Sequence, residues 1–448
     1  MAKRFPILLL LAALLFNAAC GPAASNKEDE QAAEAAQAAK MQWFAQAKLG
    51  IFIHWGIYAV DGVGESWSFY NGQITYDEYM AQAKRFTAAK YNPQEWVDLI
   101  AESGARYTVI TTKHHDGMAL WDTQADIKSL VIMTPAARDL LTPFAEAVRR
   151  KGIKLGLYYS LIDWSHPDYP NIYRNGPARY TISEDPDRWQ RFLDFNNAQL
   201  EELTSAYKPD LWWFDGDWEQ SAETWKAKEL SEKLRQDNPA VIINSRIQGY
   251  GDYGTPEIGV PVTRPKDRWW ELCYTINDSW GFQHKDTNFK TPQMVLRTLV
   301  DCISNGGNLL LDIGPREDGT IPQEEIDVLK ELGRWTKKHA EAVYETKAGI
   351  PSEHVTAYTS LNLQEDILYL YLPYRPNGAV EVKGLIDNIK DIRIVGSSIA
   401  PQWKIYNKLS WSEAPGLLEI TIPEEALDSA ITVVAIETDG PVKLYRND

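Results

Sequence analysis

The chain has 448 residues and a formal net charge of −16. That length allows a large core and two domains, and the acidic balance disfavours nucleic acid and anionic membrane surfaces as partners. Trp and Tyr are abundant, at 17 and 22 residues, which suits a sugar-stacking cleft as well as it suits a large core.

Lys3 and Arg4 precede an apolar run, Ile7 to Phe16, too short to span a bilayer. Ala18-Ala19-Cys20-Gly21 follows and resembles a bacterial lipoprotein cleavage site with Cys20 as the lipidated residue. Asn17 stands where an aliphatic residue is usual, so a plain signal peptide cut after Ala19 is the alternative. Either reading exports the protein, to the periplasm or outer-membrane surface of a bacterium, with no membrane contact except a lipid anchor. The expected organisation is residues 1–20 as signal peptide, 21–42 as a tether, 43–347 as the catalytic domain and 348–448 as a second domain. Beyond Cys20 only Cys273 and Cys302 remain. Their apolar surroundings predict buried thiols rather than a disulfide.

Gly50–His54 is the first predicted strand, Tyr107–Thr112 the second, Lys154–Ser160 the third and Leu211–Phe214 the fourth. Further strands follow at Ala240–Arg246, Trp269–Tyr274 and Asn308–Asp312. Helical periodicity lies between them, at Trp96–Ser103, Leu140–Lys151, Trp189–Tyr207, Ala222–Gln236, Thr291–Ser304 and Glu324–Thr346. Strands apolar along their length, alternating with helices, imply a parallel sheet covered on both faces. Most of these strands end in His, Asp, Arg, Trp or Asn, which is the pattern of a (β/α)8-like barrel with its site on the C-terminal rim. No Gly-rich phosphate loop follows the first strand, which argues against a doubly wound sheet. After about residue 348 the period becomes two, in Asp366–Leu372, Ala379–Lys383, Ile389–Val395, Leu418–Ile422 and Ala430–Ile436. That predicts a C-terminal antiparallel β-sandwich.

The rim collects His54, Trp67, His114, His115, Tyr158, Asp215, Arg246, Glu257 and Trp280. No His-x-His or His-x-x-x-His spacing accompanies them, and no Gly-x-Ser-x-Gly elbow is present, so zinc hydrolysis and a serine nucleophile are disfavoured and no metal or cofactor is expected. Paired carboxylates suit glycosidic cleavage. Asp215, at a strand end, is the natural nucleophile. Alone it reads as a turn residue or cap; its rim companions change that. Its partner is sought beyond it, where Asp252, Glu257 and Glu271 compete. Gly249–Glu257, rich in Gly, Tyr and Pro, reads as a loop. Asp217 reads as supporting, and Asp312 as structural in a tight Gly-Pro turn.

Several stretches are similar to glycoside hydrolase family 29, the α-L-fucosidases. They are Trp43-Phe44, Ala47–Gly56, Thr111–Gly117, Gly156–Ser160 with Asp163-Trp164, Pro209–Asp215 and Gly306–Pro315, in order along the chain. The resemblance implies a (β/α)8-like barrel with a β-sandwich, retention of configuration, no cofactor, and a fucosylated oligosaccharide or glycoconjugate as substrate. It implies Asp215 as nucleophile and Glu257, in Gly-Thr-Pro-Glu, as acid/base, with Glu271 the fallback. It also implies that His54, His114, His115, Tyr158 and Arg246 bind sugar hydroxyls and the nucleophile. Glu65 and Trp67 match a pocket-lining Glu-Trp pair, with Ser66 inserted here, and Trp280 matches an aromatic against the fucose methyl. The rival expectations are a related sugar such as α-L-galactose on the same scaffold, and a non-catalytic sugar-binding lipoprotein.

Overall fold

A computed structural model of the protein describes residues 25–445. The expected signal peptide and lipidation site at Cys20 lie outside the described residues. The chain divides into a unit up to Met41 and a second from Gln42 onward. A helix, α1, spans Ser25–Ala47, where the sequence suggested a tether. Ala-rich composition accounts for it, because Ala, Glu, Gln and Lys lose little entropy in a helix.

From Gln42 on, strands and helices alternate: β1 (Leu49–Ile53), α2 (Pro93–Glu102), β2 (Tyr107–Lys113), α3 (Leu141–Lys151), β3 (Lys154–Ser160), α4 (Pro186–Tyr207), β4 (Leu211–Asp215), α5 (Ala227–Asp237), β5 (Ile242–Ile243), β6 (Glu271–Thr275), α6 (Pro292–Ser304), β7 (Asn308–Ile313) and α7 (Gln323–Lys338). The helix boundaries follow local chemistry. Asn92, Asp185 and Thr291 cap α2, α4 and α6 with their side chains, each with Pro in the first turn. Gly152, at φ 74°, ends α3 in the left-handed region.

Among the described residues seven strands pair in the order β5-β4-β3-β2-β1-β7-β6, all in parallel. The sheet is closed by the stretch that the sequence read as a loop. Tyr253 pairs with Asn244, Gly254 with Trp270, and Glu257 with Cys273, each in parallel. The hydrogen bonds run from Ser245 N to Tyr253 O (2.8 Å), Glu271 N to Gly254 O (3.0 Å), Cys273 N to Pro256 O (3.1 Å) and Ile258 N to Cys273 O (2.9 Å). Residues 252–258 thus act as an eighth, irregular staple between β5 and β6. Gly and Pro hide it from a strand reading, and both have physical reasons. A Cβ on Gly251 would sit 2.0 Å from Asn244 O, and Pro256 offers its carbonyl but has no N–H to give.

The C-terminal strands are β8 (Thr346–Ala348), β9 (Tyr358–Asn362), β10 (Ile367–Leu372), β11 (Val380–Val382), β12 (Ile389–Ile394), β13 (Gln402–Tyr406), β14 (Leu417–Thr421) and β15 (Thr432–Thr438). They form two antiparallel sheets, β12-β15-β10-β9-β8 and β11-β14-β13. Leu368, Leu370, Val382, Leu418, Ile420, Val434 and Ile436 make their shared core. Three of these strands were not anticipated. β8 and β13 are short edges, and Tyr358-Thr-Ser-Leu-Asn362 carries too little apolar alternation to announce β9. Cys273 and Cys302 are separate buried thiols, as expected.

Candidate active site

The site sits at the C-terminal ends of the barrel strands. β4 is buried throughout, and Asp215, its last residue, is 8% exposed. Gly216 then turns the chain at φ 82°, where a Cβ would meet Ile162 at 2.5 Å. That turn takes Asp217 away from the rim, and its carboxylate accepts Gln248 N at 2.7 Å. Two donors reach Asp215: Tyr158 Oη to Oδ2 at 2.8 Å and Arg246 Nη1 to Oδ1 at 3.1 Å. Burial, then the charge of Asp215, push the Tyr158 hydroxyl well above its usual range, so it remains a donor.

Arg246 follows the short β5. Where that strand stops, the Asn244 side chain takes over its pairing, accepting Phe214 N and donating to Phe214 O, both at 2.9 Å. The guanidinium beyond it touches both carboxylates: Nη1 goes to Asp215, and Nη2 to Glu257 Oε2 at 2.6 Å. Nε donates to Thr255 Oγ1 at 3.1 Å, and the Trp213 ring lies 4.6 Å beneath. Burial lowers the Arg246 pKa, but Asp215, Cys273 and Glu257 outweigh it and raise it; the cation is permanent. Glu257 is 40% exposed at its side chain and stands at the mouth.

The three competing carboxylates are now separated. Glu257 lines the cavity. Asp252 accepts Ile243 N at 2.8 Å and pairs with Arg235. Glu271 is fully buried under the pocket floor, taking Trp213 Nε1 at 2.8 Å and Tyr107 Oη at 2.6 Å.

The histidines share a rule. Each commits Nδ1 to a protein partner: His54 to Asp312 at 2.6 Å, His114 to Ser66 at 2.7 Å, His115 to Ser160 at 2.5 Å. His54 and His114 line the cavity, with no protein partner on Nε2 among the described residues, and the buried His115 has its Nε2 3.6 Å from Asp215 Oδ2. All three are neutral near pH 7. Burial first, then cationic neighbours, lower His115 to about 3; burial and neighbouring groups lower His54 and His114 well below the usual range.

The cavity encloses about 260 Å³ and is lined by His54, Trp67, His114, Tyr158, Asp215, Arg246, Glu257 and Trp280, together with Phe52, Trp213 and Trp218. Trp280 leans on His54 at 5.1 Å, and Trp67 and Trp218 lie nearly parallel at 6.3 Å. Of the residues expected from the sequence, His115, 1% exposed, is not on the cavity wall, and Glu65 stands further apart. It is 5% exposed and absent from the cavity wall, with its carboxylate taking the Gly281 amide behind Trp280. Burial raises it to about 7. The inserted Ser66 explains its place: at φ 42° it turns inward to hold His114, with its own N–H on Tyr79 Oη at 3.1 Å.

Sequence reasoning missed Phe52, Trp213, Trp218 and Asp312. For three of them a signal was available. Side chains two apart on a strand share a face, so His54 points back to Phe52 and Asp215 to Trp213. Trp218 closes the segment after Asp215, where an aromatic past a buried strand is itself a signal, but nothing local pairs Asp312 with His54.

Comparison with known proteins agrees with this geometry. Residues 15–341 match the family model described as alpha-L-fucosidase. The chain is 31% identical over 439 residues to the tissue alpha-L-fucosidase of Mus musculus, covering 90% of this chain and 91% of that protein. It superposes on alpha-L-fucosidase isoenzyme 1 from Paenibacillus thiaminolyticus with a TM-score of 0.80 and 31% identity, over 90% of this chain and 100% of that one. A GH29 alpha-L-fucosidase from Bacteroides thetaiotaomicron, trapped as a covalent intermediate with 2-fluoro-fucosyl fluoride, matches with a TM-score of 0.78 and 26% identity, over 89% and 96%. The chain belongs to the α-L-fucosidases of glycoside hydrolase family 29.

Proposed function

We propose that this chain is a retaining exo-α-L-fucosidase that removes terminal α-L-fucose from glycans, with Asp215 as nucleophile and Glu257 as acid/base. One observation carries the reading: a single guanidinium holds both carboxylates in a cavity of about 260 Å³, room for one sugar ring. Such close carboxylates are compatible with the spacing of about 5–5.5 Å that double displacement uses. In the first step an Asp215 oxygen bonds to the anomeric carbon as Glu257 gives its proton to the departing glycosidic oxygen. In the second, Glu257 takes a proton from water, the water oxygen bonds to the anomeric carbon, and the Asp215 ester breaks. Fucose leaves with its configuration retained.

The remaining walls suit a neutral 6-deoxy sugar. Neutral imidazoles offer hydroxyls a directed donor or acceptor. Trp67, Trp218 and Trp280 offer apolar faces for C–H groups and the methyl. Turnover of an aryl α-L-fucoside by the wild type tests the activity; a folded wild type that hydrolyses no fucoside overturns it. Export with lipidation at Cys20 belongs to the same reading, supported by the basic, apolar and Ala-Ala-Cys segments in series. Incorporation of labelled palmitate that Cys20→Ser abolishes would bear this out, and equal labelling of both forms would refute it.

A further inference from the structure

The Nδ1 partners of the pocket histidines decide what each Nε2 presents. Ser160 Oγ donates to Ile162 O at 2.7 Å, so it must accept from His115 Nδ1–H. The neutral His115 ring therefore offers a bare Nε2, an acceptor.

His54 has a different partner and the opposite outcome. Asp312 Oδ1 lies 2.6 Å from His54 Nδ1, and both side chains are buried. Asp312 faces two further buried carboxyls. Glu325 receives the Gly314 amide on both oxygens at 3.2 Å, and Glu65 receives the Gly281 amide. The Tyr58 hydroxyl also feels Asp312, and no Lys or Arg lies in salt-bridge range of it among the described residues. On the imidazole side the neighbours are His114 and the Arg246 cation. Burial, then Glu325 and Glu65, push the Asp312 carboxyl far above the carboxylate range. Three neighbouring buried carboxyls resist negative charge.

We propose that the Asp312–His54 pair holds two protons in the working enzyme, so that His54 presents Nε2–H to a sugar hydroxyl, and that Asp312 is the positioning residue responsible. A carboxylic acid beside neutral imidazole and a carboxylate beside imidazolium have the same proton count, and both leave Nε2 protonated. With the acid proton held between Oδ1 and Nδ1, loss of one proton bares Nε2, and that state adds a negative charge beside Glu325 and Glu65. With His54 donating, the cavity wall presents a fixed donor to a sugar hydroxyl. This rests on the sugar-binding reading of the cavity, but its first test needs no turnover.

In the full chain labelled with 15N-histidine, long-range proton–nitrogen spectra report which ring nitrogens carry hydrogen, with His54→Gln assigning the His54 signals. The expected result near neutral pH is a protonated Nε2 that loses its proton in the alkaline range. Asp312→Asn, which has no carboxyl to ionise, should keep Nε2–H with no alkaline change. A bare Nε2 in the wild type overturns the proposal. In kinetics, Asp312→Asn should stay within about tenfold in kcat/KM and lose the alkaline decline that the pair causes. Asp312→Leu should fall about 10–100-fold, mostly through KM. Wild-type kinetics and unchanged His54 signals in Asp312→Leu would remove Asp312 from the positioning role. A wild type inactive on every fucoside would instead count against the fucosidase reading, leaving the spectra as they are.

Discussion

The two sides of the barrel are built differently. From β7 through β1 to β4, strands of five to seven residues pair in unbroken or nearly unbroken parallel register. This side carries His54, His114, His115, Tyr158 and Asp215, the groups we assign to gripping and attacking the sugar. The closing side consists of a two-residue β5, the irregular 252–258 staple and β6. It carries Arg246 and Glu257. A regular ladder fixes each inward side chain by its register, which suits a nucleophile whose target must lie on one line. The staple is bound through scattered backbone hydrogen bonds rather than a continuous ladder. That suits a group at the mouth that meets leaving groups of varied shape. Arg246 ties the two sides together.

The largest effect should come from the regular side. Asp215→Gly is expected to lower kcat about 10⁴-fold, with turnover recovered in azide and β-L-fucosyl azide as product. No rescue in a folded variant would remove Asp215 from the nucleophile role. On the closing side, Glu257→Ala should lose about 10²–10⁴-fold on poor leaving groups and far less on activated ones. A uniform loss across a graded aryl series would contradict the assignment.

The staple itself can be displaced without touching either carboxylate. Gly251→Ala drives a methyl into the Asn244 carbonyl. A misplacement of about 1 Å costs up to about 10²-fold, and here it should fall on the step that needs Glu257. If the loss is equal for good and poor leaving groups, the staple is not what sets that residue.

Glu271 separates structure from chemistry on the same side. Burial first raises its carboxyl to about 7 despite donors from Tyr107 and Trp213, against about 4.3 when unfolded. The folded state then binds more protons than the unfolded one between these values, so this residue erodes stability as pH rises from about 4 to 7, by up to about 4 kcal/mol. Glu271→Gln should lose that slope in denaturant titrations while keeping the wild-type leaving-group series. An altered series would return Glu271 to candidacy as acid/base.

Asp428 gives the smallest effect, away from both sides. It pairs with Arg334 at 2.9 Å and Lys338 at 2.7 Å, joining α7 to the sandwich. Burial raises its carboxyl, but these two cations outweigh it and hold it well below the usual range. The stabilisation is present above the unfolded value of about 3.9 and is lost as pH falls below it. Asp428→Asn should cost about 1–3 kcal/mol at neutral pH, with no gap left in strong acid and no change in kcat. A kcat change would mean that the sandwich reaches the site.

By itself the sequence was enough for the alternation of strands and helices, the shift to period two after the barrel, and the rim positions of His54, His114, His115, Tyr158, Asp215 and Arg246. Those follow from periodicity and strand ends, which are local properties of the chain. What it left undecided depended on contacts between distant segments. Asp252, Glu257 and Glu271 are equally acidic on paper, and only the paths of the staple and β6 turn one to the cavity and send two into hydrogen bonds elsewhere. Ser66 looked like an interruption until its hydroxyl met His114 across 48 positions. Asp312 looked like a turn residue until β1 and β7 paired and brought it to His54, 258 positions earlier. Burial and partner decide the chemistry of a carboxyl, and for these groups both exist only once the barrel has closed.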